Sequence, residues 1–270
     1  MFKGQRKAGF VVLMLAAGSL LAFASPAGAV SAPNACRNSV TSNASQLGTD
    51  TSGTSPASAV PGGSVPLSGI QQQLSIPGAI FVAGYNLGVL TVGQNTIPIN
   101  VRSTIEATNT VEGSQNTATV GGTPPDGSLS VTTTITDPDT TPGTGDETAT
   151  DATGSVSYPN LTWTAGPSGP IEFRQQSIAA PPPTADNSTE LINALIGGAI
   201  GVQFRCAPGT VTGPDPGVIT LMDPAPTFAS TQVQANPQCK KLKKQLKKAK
   251  KAHDKAKVKK IRRKMSKLGC

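Results

Sequence analysis

The last 32 residues, Cys239 to Cys270, hold sixteen lysines and arginines and one acid, Asp254, for a formal charge of +15. From Ser31 to Gln238 there is no lysine, and four arginines stand against fourteen acidic residues, a net charge of −10. Charge asymmetry of this size indicates two parts with different surroundings. The sequence therefore predicts an acidic body joined to a basic tail.

Two apolar stripes at helical spacing run through the tail, and one continuous helix would place them about 120° apart. A break near His253–Lys255 removes the conflict and lets two antiparallel helices pack stripe against stripe. It also brings Cys239 beside Cys270, whereas a straight helix would hold their sulfurs about 45 Å apart. The expected contacts are Leu242–Leu268, Leu246–Met265, Ala249–Ile261 and Ala252–Val258. We predict a disulfide-closed helical hairpin over residues 237–270, and a disordered polybasic tail is the alternative.

The N-terminus has the pattern of a secretory signal peptide over residues 1–29. Lys3, Arg6 and Lys7 precede an apolar run from Phe10 to Phe23, and Ala27-Gly28-Ala29 follows as a small-residue cleavage site. The run is about fourteen residues long, which is too short to cross a bilayer comfortably. We expect an exported protein, extracellular or cell-wall associated, with no transmembrane span in its mature form.

Four cysteines in an exported chain predict two disulfides, for which three pairings exist in principle. The hairpin pairs Cys239 with Cys270, which leaves Cys36 with Cys206. A loop of about 170 residues closed by that bond would contribute about 5 kcal/mol in the chain-entropy model.

The body is rich in Thr, Ser, Gly, Pro and Val, and its short alternating segments predict β-strands. The segments are Val65–Ile76, Thr96–Val111, Ser128–Thr136, Gly154–Tyr158, Leu161–Ala165, Ile171–Ile178 and Ala199–Cys206. Many short strands between turn clusters predict a single β-sandwich over residues 30–207.

Three segments are expected to lie outside the regular strands of the sandwich. Thr41–Ser64 is expected to be a flexible stretch or an edge region. Ser188-Thr-Glu has the pattern of a helix start. Six prolines from Pro208 to Pro237 make residues 208–236 a predicted linker to the hairpin.

Several motifs resemble those of secreted immunoglobulin-like proteins of actinobacteria, a group without an assigned activity. They are IFVAGYNLGVL (Ile80–Leu90), NTIPINV, ATNTVEG, ITDPDTTPGTGDE, LTWTAG and VQFRCAPG. The lysine-rich tail between cysteines is similar to tails on other exported proteins of that phylum. The resemblance implies an immunoglobulin-like sandwich followed by the hairpin.

The body contains no histidine or lysine, and all four cysteines are assigned to disulfides. This excludes Ser-His-Asp and Cys-His catalysis and histidine-containing zinc sites within it. Carboxylate-based glycoside chemistry remains, with Glu106, Glu112 and Glu172 as candidates. Trp163 would then be a sugar-stacking residue, although a lone tryptophan in a sandwich is usually part of the core. A carbohydrate-active module is therefore the alternative function.

A loop rich in carboxylates offers oxygen ligands of the kind that calcium prefers. Its candidate ligands are Asp137, Asp139, Asp146 and Glu147. The spacing does not match an EF-hand, and an ordinary acidic hairpin loop is the other interpretation.

The tail predicts binding to an anionic envelope polymer or to lipid headgroups. Its own acidic body is a second candidate partner, and nucleic acid is not expected for an exported protein. A solvated charged tail without a partner is the other interpretation. The predicted binding residues are Lys240, Lys241, Lys243, Lys244, Lys247, Lys248, Lys250, Lys251, Lys255, Lys257, Lys259, Lys260, Arg262, Arg263, Lys264 and Lys267. We expect a non-enzymatic binding or structural protein with no cofactor other than calcium.

Overall fold

The computed structural model describes residues 28–38, 43–111, 116–121, 126–176, 189–192, 203–213, 217–234 and 237–267. The predicted signal peptide thus lies almost wholly outside the described residues. The strands are β1 Val30–Asn38, β2 Ala44–Thr54, β3 Ser58–Ala59, β4 Ser64–Ile76, β5 Gly93–Ala107, β6 Thr117–Gly121, β7 Ser128–Thr136, β8 Thr148–Ala149, β9 Ala152–Ser157, β10 Leu161–Thr164, β11 Gly169–Gln175, β12 Thr189–Ile192, β13 Gln203–Thr212, β14 Val218–Leu221 and β15 Thr227–Val233. The helices are α1 Gly78–Asn86, α2 Pro237–Lys251 and α3 Lys255–Lys267.

The protein is mainly β, and its strands pair in the order β10-β4-β2-β1-β13-β12-β5-β11-β15-β3. The long strand β5 has two partners on each edge, because it is fifteen residues long and its partners are short. β7 and β6 pair with it in succession on one edge. β12 and β11 pair with its other edge. β5 therefore connects segments that are far apart in the sequence.

The core lies on one face of these strands, since successive side chains of a strand point to opposite sides. In β5 every second residue from Ile97 to Ala107 is buried, including Ser103 at 3 % exposure. Ser103 thus continues the buried face that the alternating pattern predicted. At Gly154 in β9 an added Cβ would overlap a methyl of Leu129 in β7. Glycine at this position permits the two strands to pack closely.

The Cys36–Cys206 disulfide, as predicted, joins β1 to β13. The two cysteines are register partners in an antiparallel pair, and both are buried. The bond therefore connects neighbouring strands. In antibody domains, by contrast, the conserved disulfide crosses from one sheet to the other.

Helix α1 was not predicted, and it overlaps the segment Ile80–Leu90. Phe81 and Tyr85 lie on one side of α1 and are buried in the core. Gly78 at its start donates its backbone N–H to Oδ1 of Asp151 at 2.7 Å. A carboxylate at the positive end of the helix dipole stabilises this first turn.

Two of the predictions for the body are wrong. Residues 44–54 are neither flexible nor an edge, because β2 lies between β1 and β4. Residues 189–192 form β12, where backbone pairing with β5 and β13 overrides the local helix-start pattern. Ser188 and residues 193–202 lie outside the described residues, as do the ends of the predicted strands 171–178 and 199–206.

The predicted boundary at residue 207 is also wrong. β13 continues to Thr212 and pairs with β14, and β15 pairs with β11 along its length. Phe228 and Val233 of β15 belong to the core at 3 % and 1 % exposure. The proline-rich segment is therefore largely part of the β body.

Candidate functional site

Two helices joined by a tight turn form the tail, as the apolar stripes predicted. His253 has a φ of 54°, in the left-handed region, and this reverses the chain between α2 and α3. The backbone N–H of Asp254 donates to the carbonyl of Ala249 at 3.1 Å, which satisfies one of the last carbonyls of α2. The break therefore falls within the predicted interval His253–Lys255.

The apolar side chains of the two helices form a narrow seam between them. Ala249 is 2 % exposed and Ile261 is 5 % exposed, which supports their predicted contact. Four further seam residues are half-buried: Leu242, Leu246, Val258 and Met265. Ala252, where the turn begins, is exposed, so it adds little to the buried part of the seam. Leu268 lies outside the described residues.

The only acid of the tail stabilises the start of α3. Oδ1 of Asp254 accepts the backbone N–H of Lys257 at 2.9 Å, the geometry of a side-chain N-cap. On the other side of the same turn, the last turn of α2 contains Lys248, Lys250 and Lys251, and positive charge is favourable at the C-terminal end of a helix. The local charge arrangement therefore supports both helix ends at the turn.

The cations of the hairpin point into solvent. Every lysine and arginine that the predicted binding surface includes is exposed, except Lys267, whose side chain is outside the described residues. None of their side chains is used by the seam, which is apolar. The structure thus presents fifteen of the sixteen predicted cations to solvent.

Cys239 is disulfide-bonded and 8 % exposed. It follows the first residues of α2 and lies on the seam side of the helix, three positions before Leu242. Its predicted partner, Cys270, lies outside the described residues.

The second candidate site is the acidic loop that follows β7. Asp137 is buried at 5 % exposure, and its Oδ2 accepts the hydroxyl of Tyr85 in α1 at 2.5 Å. Its Oδ1 accepts the backbone N–H groups of Asp139 and Thr140 at 3.2 and 3.0 Å. The hydrogen bond from Tyr85 lowers the pKa of Asp137, and the same bond, together with burial, raises the pKa of Tyr85 to about 12.

Three of the four predicted calcium ligands converge. One carboxylate oxygen from each of Asp137, Asp139 and Asp146 lies within 4.8 Å of the others. Glu147 is not part of this group, and its two carboxylate oxygens accept backbone N–H groups of Gly143, Thr144 and Gly145. With one oxygen from each residue, the three carboxylates supply three of the six to eight oxygens that calcium takes, so any ion here would complete its shell with carbonyls or water.

Burial raises the pKa of the Glu147 carboxyl, but the amides that point at it lower that pKa by more. Glu147 therefore serves as an internal anchor that shapes the loop.

The structure describes three of the four residues of the alternative carbohydrate function, namely Trp163, Glu172 and Glu106. Trp163 is 5 % exposed and packs against Phe173 with ring centroids 5.2 Å apart. Glu172 forms an ion pair with Arg174. Glu106, on the neighbouring strand, is the register partner of Arg174, and Glu112 lies outside the described residues. Trp163 is therefore a core residue, and Glu172 is engaged with a neighbouring arginine.

Sequence reasoning missed Tyr85, which fixes Asp137 and links the acidic loop to α1. The chain has only two tyrosines, and each bonds a polar side chain from a distant segment. Rarity of the residue type was the one available signal. The partner of each tyrosine depends on tertiary contacts that the local pattern does not encode.

Among the described residues, no helix combines the length and the apolar character needed to cross a bilayer.

No protein-family model matches the chain, and no curated protein matches it. One solved structure that is similar is described as "Putative membrane anchored protein from Corynebacterium diphtheriae". The similarity has a TM-score of 0.39 and 11 % identity, and it covers 77 % of this chain and 38 % of that one. The chain thus spans less than half the length of that structure. A similarity of this size carries no argument about fold or function.

Proposed function

We propose that this protein is exported and non-enzymatic, with a β body of binding or structural role and a basic hairpin that adsorbs to anionic groups of the cell envelope. The groups are phosphates or carboxylates of wall polymers, or lipid headgroups. The observation that carries the proposal is the hairpin itself. Its described Leu, Ile, Val and Met side chains are buried or half-buried in the seam between the helices, and fifteen of its cations are exposed.

Electrostatic adsorption fits this surface better than insertion into a membrane. Interfacial helices bury a broad apolar face that carries large side chains such as Trp, Phe and Leu. Here Ala249 and Ile261 face the partner helix, and the tail contains no aromatic residue. Charge alone is left to provide the attraction, so binding should be screened by salt.

The body of the protein is expected to contribute little to this attraction, because its net charge is −10 from residue 31 to residue 238. Anionic surfaces should repel it. We also propose that the body is a β-sandwich, which one-sided burial of its strands supports. We propose that the body is immunoglobulin-like only in being a β-sandwich, because the Cys36–Cys206 bond joins adjacent strands and not two sheets.

The test is cosedimentation of the mature protein with isolated envelopes at low and at high salt. We expect binding at low salt and release at 1 M salt, where the Debye length is about 3 Å. A chain that ends after Asn236 keeps β15 and should remain unbound at both salt concentrations. If the shortened chain binds as well as the whole protein, the proposal is wrong.

A matched control separates charge from shape. Replacement of Cys239 and Cys270 by Ser removes the predicted covalent closure of the hairpin but none of its charges. We expect most envelope binding to persist in this variant, because the cations remain within the same short segment. A complete loss would mean that the folded shape of the hairpin is required.

Calcium binding at the acidic loop is a second candidate function. Convergence of Asp137, Asp139 and Asp146 favours it, while full use of both Asp137 oxygens by Tyr85 and backbone amides weighs against it.

A further inference from the structure

The two helices of the hairpin form a flat layer with cations on both of its broad sides. At about 100° per residue, side chains of each helix can be placed by their angle from the seam. Because the helices are antiparallel, a positive angle on α2 and a positive angle on α3 point to the same side of the layer. We name the side of positive angles face A. Six cations lie there at about 60–130° from the seam: Lys243, Lys247, Lys250, Lys255, Lys259 and Arg262.

The opposite side, face B, is also cationic. About 70–140° from the seam in the other direction lie Lys241, Lys248, Lys257, Lys260 and Lys264. All eleven residues of the two faces are exposed. The seam residues lie between the faces, and Ala249 and Ile261 close its centre.

The two faces are far enough apart to act separately. One helix with its side chains is about 10 Å thick. At physiological salt the Debye length is about 8 Å, so a charge bound to one face is largely screened from the other. An anionic chain on face A therefore leaves most of the attraction of face B available to a second chain.

We propose that the hairpin bridges two separate polyanionic polymer chains, one on each face, and so cross-links them. This inference rests on the proposed envelope-binding function and specifies its ligand as a flexible phosphate-bearing polymer. A flat membrane contacts one side of the layer at a time, which would leave half of the exposed cations without a partner. Two polymer strands neutralise both sides, and the positive charge on both sides complements them.

The experiment uses the full mature chain and long-chain polyphosphate as the probe. One batch of polymer carries a donor dye and another an acceptor dye, so energy transfer reports that two chains are held together. Fluorescence anisotropy of the donor reports binding alone. For the unmodified protein we expect both signals to rise when protein is added, and both to be reversed by salt.

Two variants with equal net charge distinguish bridging from simple attraction. The face-A variant replaces all six of its cations by Gln. The divided variant replaces three on each face, namely Lys243, Lys250, Arg262, Lys241, Lys257 and Lys264. Gln is a good helix former, so circular dichroism should show the same helix content in both.

We expect both variants to bind polyphosphate with the same salt dependence, because they retain equal numbers of cations. Energy transfer should persist in the divided variant and fall to the protein-free baseline in the face-A variant. Equal energy transfer in the two variants would overturn the bridging proposal, as would binding by the unmodified protein without energy transfer.

Further outcomes separate this inference from the function on which it rests. If the protein cosediments with envelopes but does not bind polyphosphate, the polymer inference is wrong and the adsorption proposal stands. Vesicles of anionic phospholipid form a second arm at equal phosphate concentration. Preferential binding to the vesicles would assign the hairpin to lipid headgroups and overturn bridging. If envelopes bind the chain that ends after Asn236 equally well, the proposed function itself fails.

Discussion

Shortening the chain tests whether residues 208–236 belong to the β body. A chain that ends after Ala207 lacks the end of β13 and all of β14 and β15. It therefore exposes the core positions that Phe228 and Val233 fill. Full burial of such side chains stabilises by about 1.5–3 kcal/mol each, so we expect a loss of about 3–6 kcal/mol. That is a large part of the free energy of unfolding of a typical folded protein, which is about 5–15 kcal/mol.

The free edge of β11 adds to this loss, because β15 supplies its backbone partners from Gly169 onward. The Cys36–Cys206 bond remains in the shortened chain, so the comparison isolates the missing strands from the missing disulfide. Thermal unfolding followed by circular dichroism is the assay. A loss of this size lowers the melting temperature by about 6–24 °C for a domain of 150–250 residues.

A chain that ends after Asn236 is the matched reference, and it should have the same melting temperature as the body of the whole protein. In the full chain Phe228→Ala should lower the free energy of unfolding by about 3–5 kcal/mol, as for other buried aromatic residues. Val218→Ala in β14 is its control, because Val218 is 65 % exposed and should tolerate the change. If the chains ending at Ala207 and at Asn236 have the same melting temperature, β15 does not stabilise the body, and our assignment of the body's boundary is wrong.

Three further predictions concern local chemistry. His253→Gly should stabilise the hairpin by about 1 kcal/mol, because glycine adopts a positive φ without the cost that a Cβ imposes, whereas His253→Ala should not; helix melting by circular dichroism decides between them. The lowered pKa of Asp137 stabilises the fold above its ordinary pKa, and this contribution is lost as the pH falls through the lowered value. Tyr85→Phe should therefore lower the free energy of unfolding at neutral pH and make it fall less steeply as the pH decreases. Urea unfolding at several pH values measures this, and the same pH dependence in the variant and the parent would contradict it. If the acidic loop binds calcium, millimolar calcium should raise the melting temperature and Asp139→Asn should abolish the rise; no shift in the parent would exclude the site.

Local pattern was sufficient where one periodic stripe decides the structure. In the tail, two stripes out of phase required a break, and His253 provides it at the expected place. In β5 and β7 the alternation of apolar residues predicted the buried face, because a sheet with one side in the core repeats every two residues. Cys36–Cys206 followed from the hairpin by elimination.

Composition was misleading where backbone pairing decides the structure. β2 is rich in Ser, Thr and Gly, yet it lies between two strands, with Thr49 and Thr51 buried. The prolines of residues 208–236 suggested a linker, but β15 contributes Phe228 to the core. In both segments the stabilising contacts come from paired strands, β1 and β4 for β2 and β11 for β15, and the composition of the segment itself does not report them.

The sequence by itself determined the separation of charge, the mainly β character of the body, one disulfide and the two-helix tail, because each depends on composition or on short-range periodicity. Only the tertiary structure decided which strands are neighbours and where the body ends. It also placed Tyr85 against Asp137 and Trp163 in the core. These features arise from contacts between distant segments, whose free energy depends on how whole strands pair and pack.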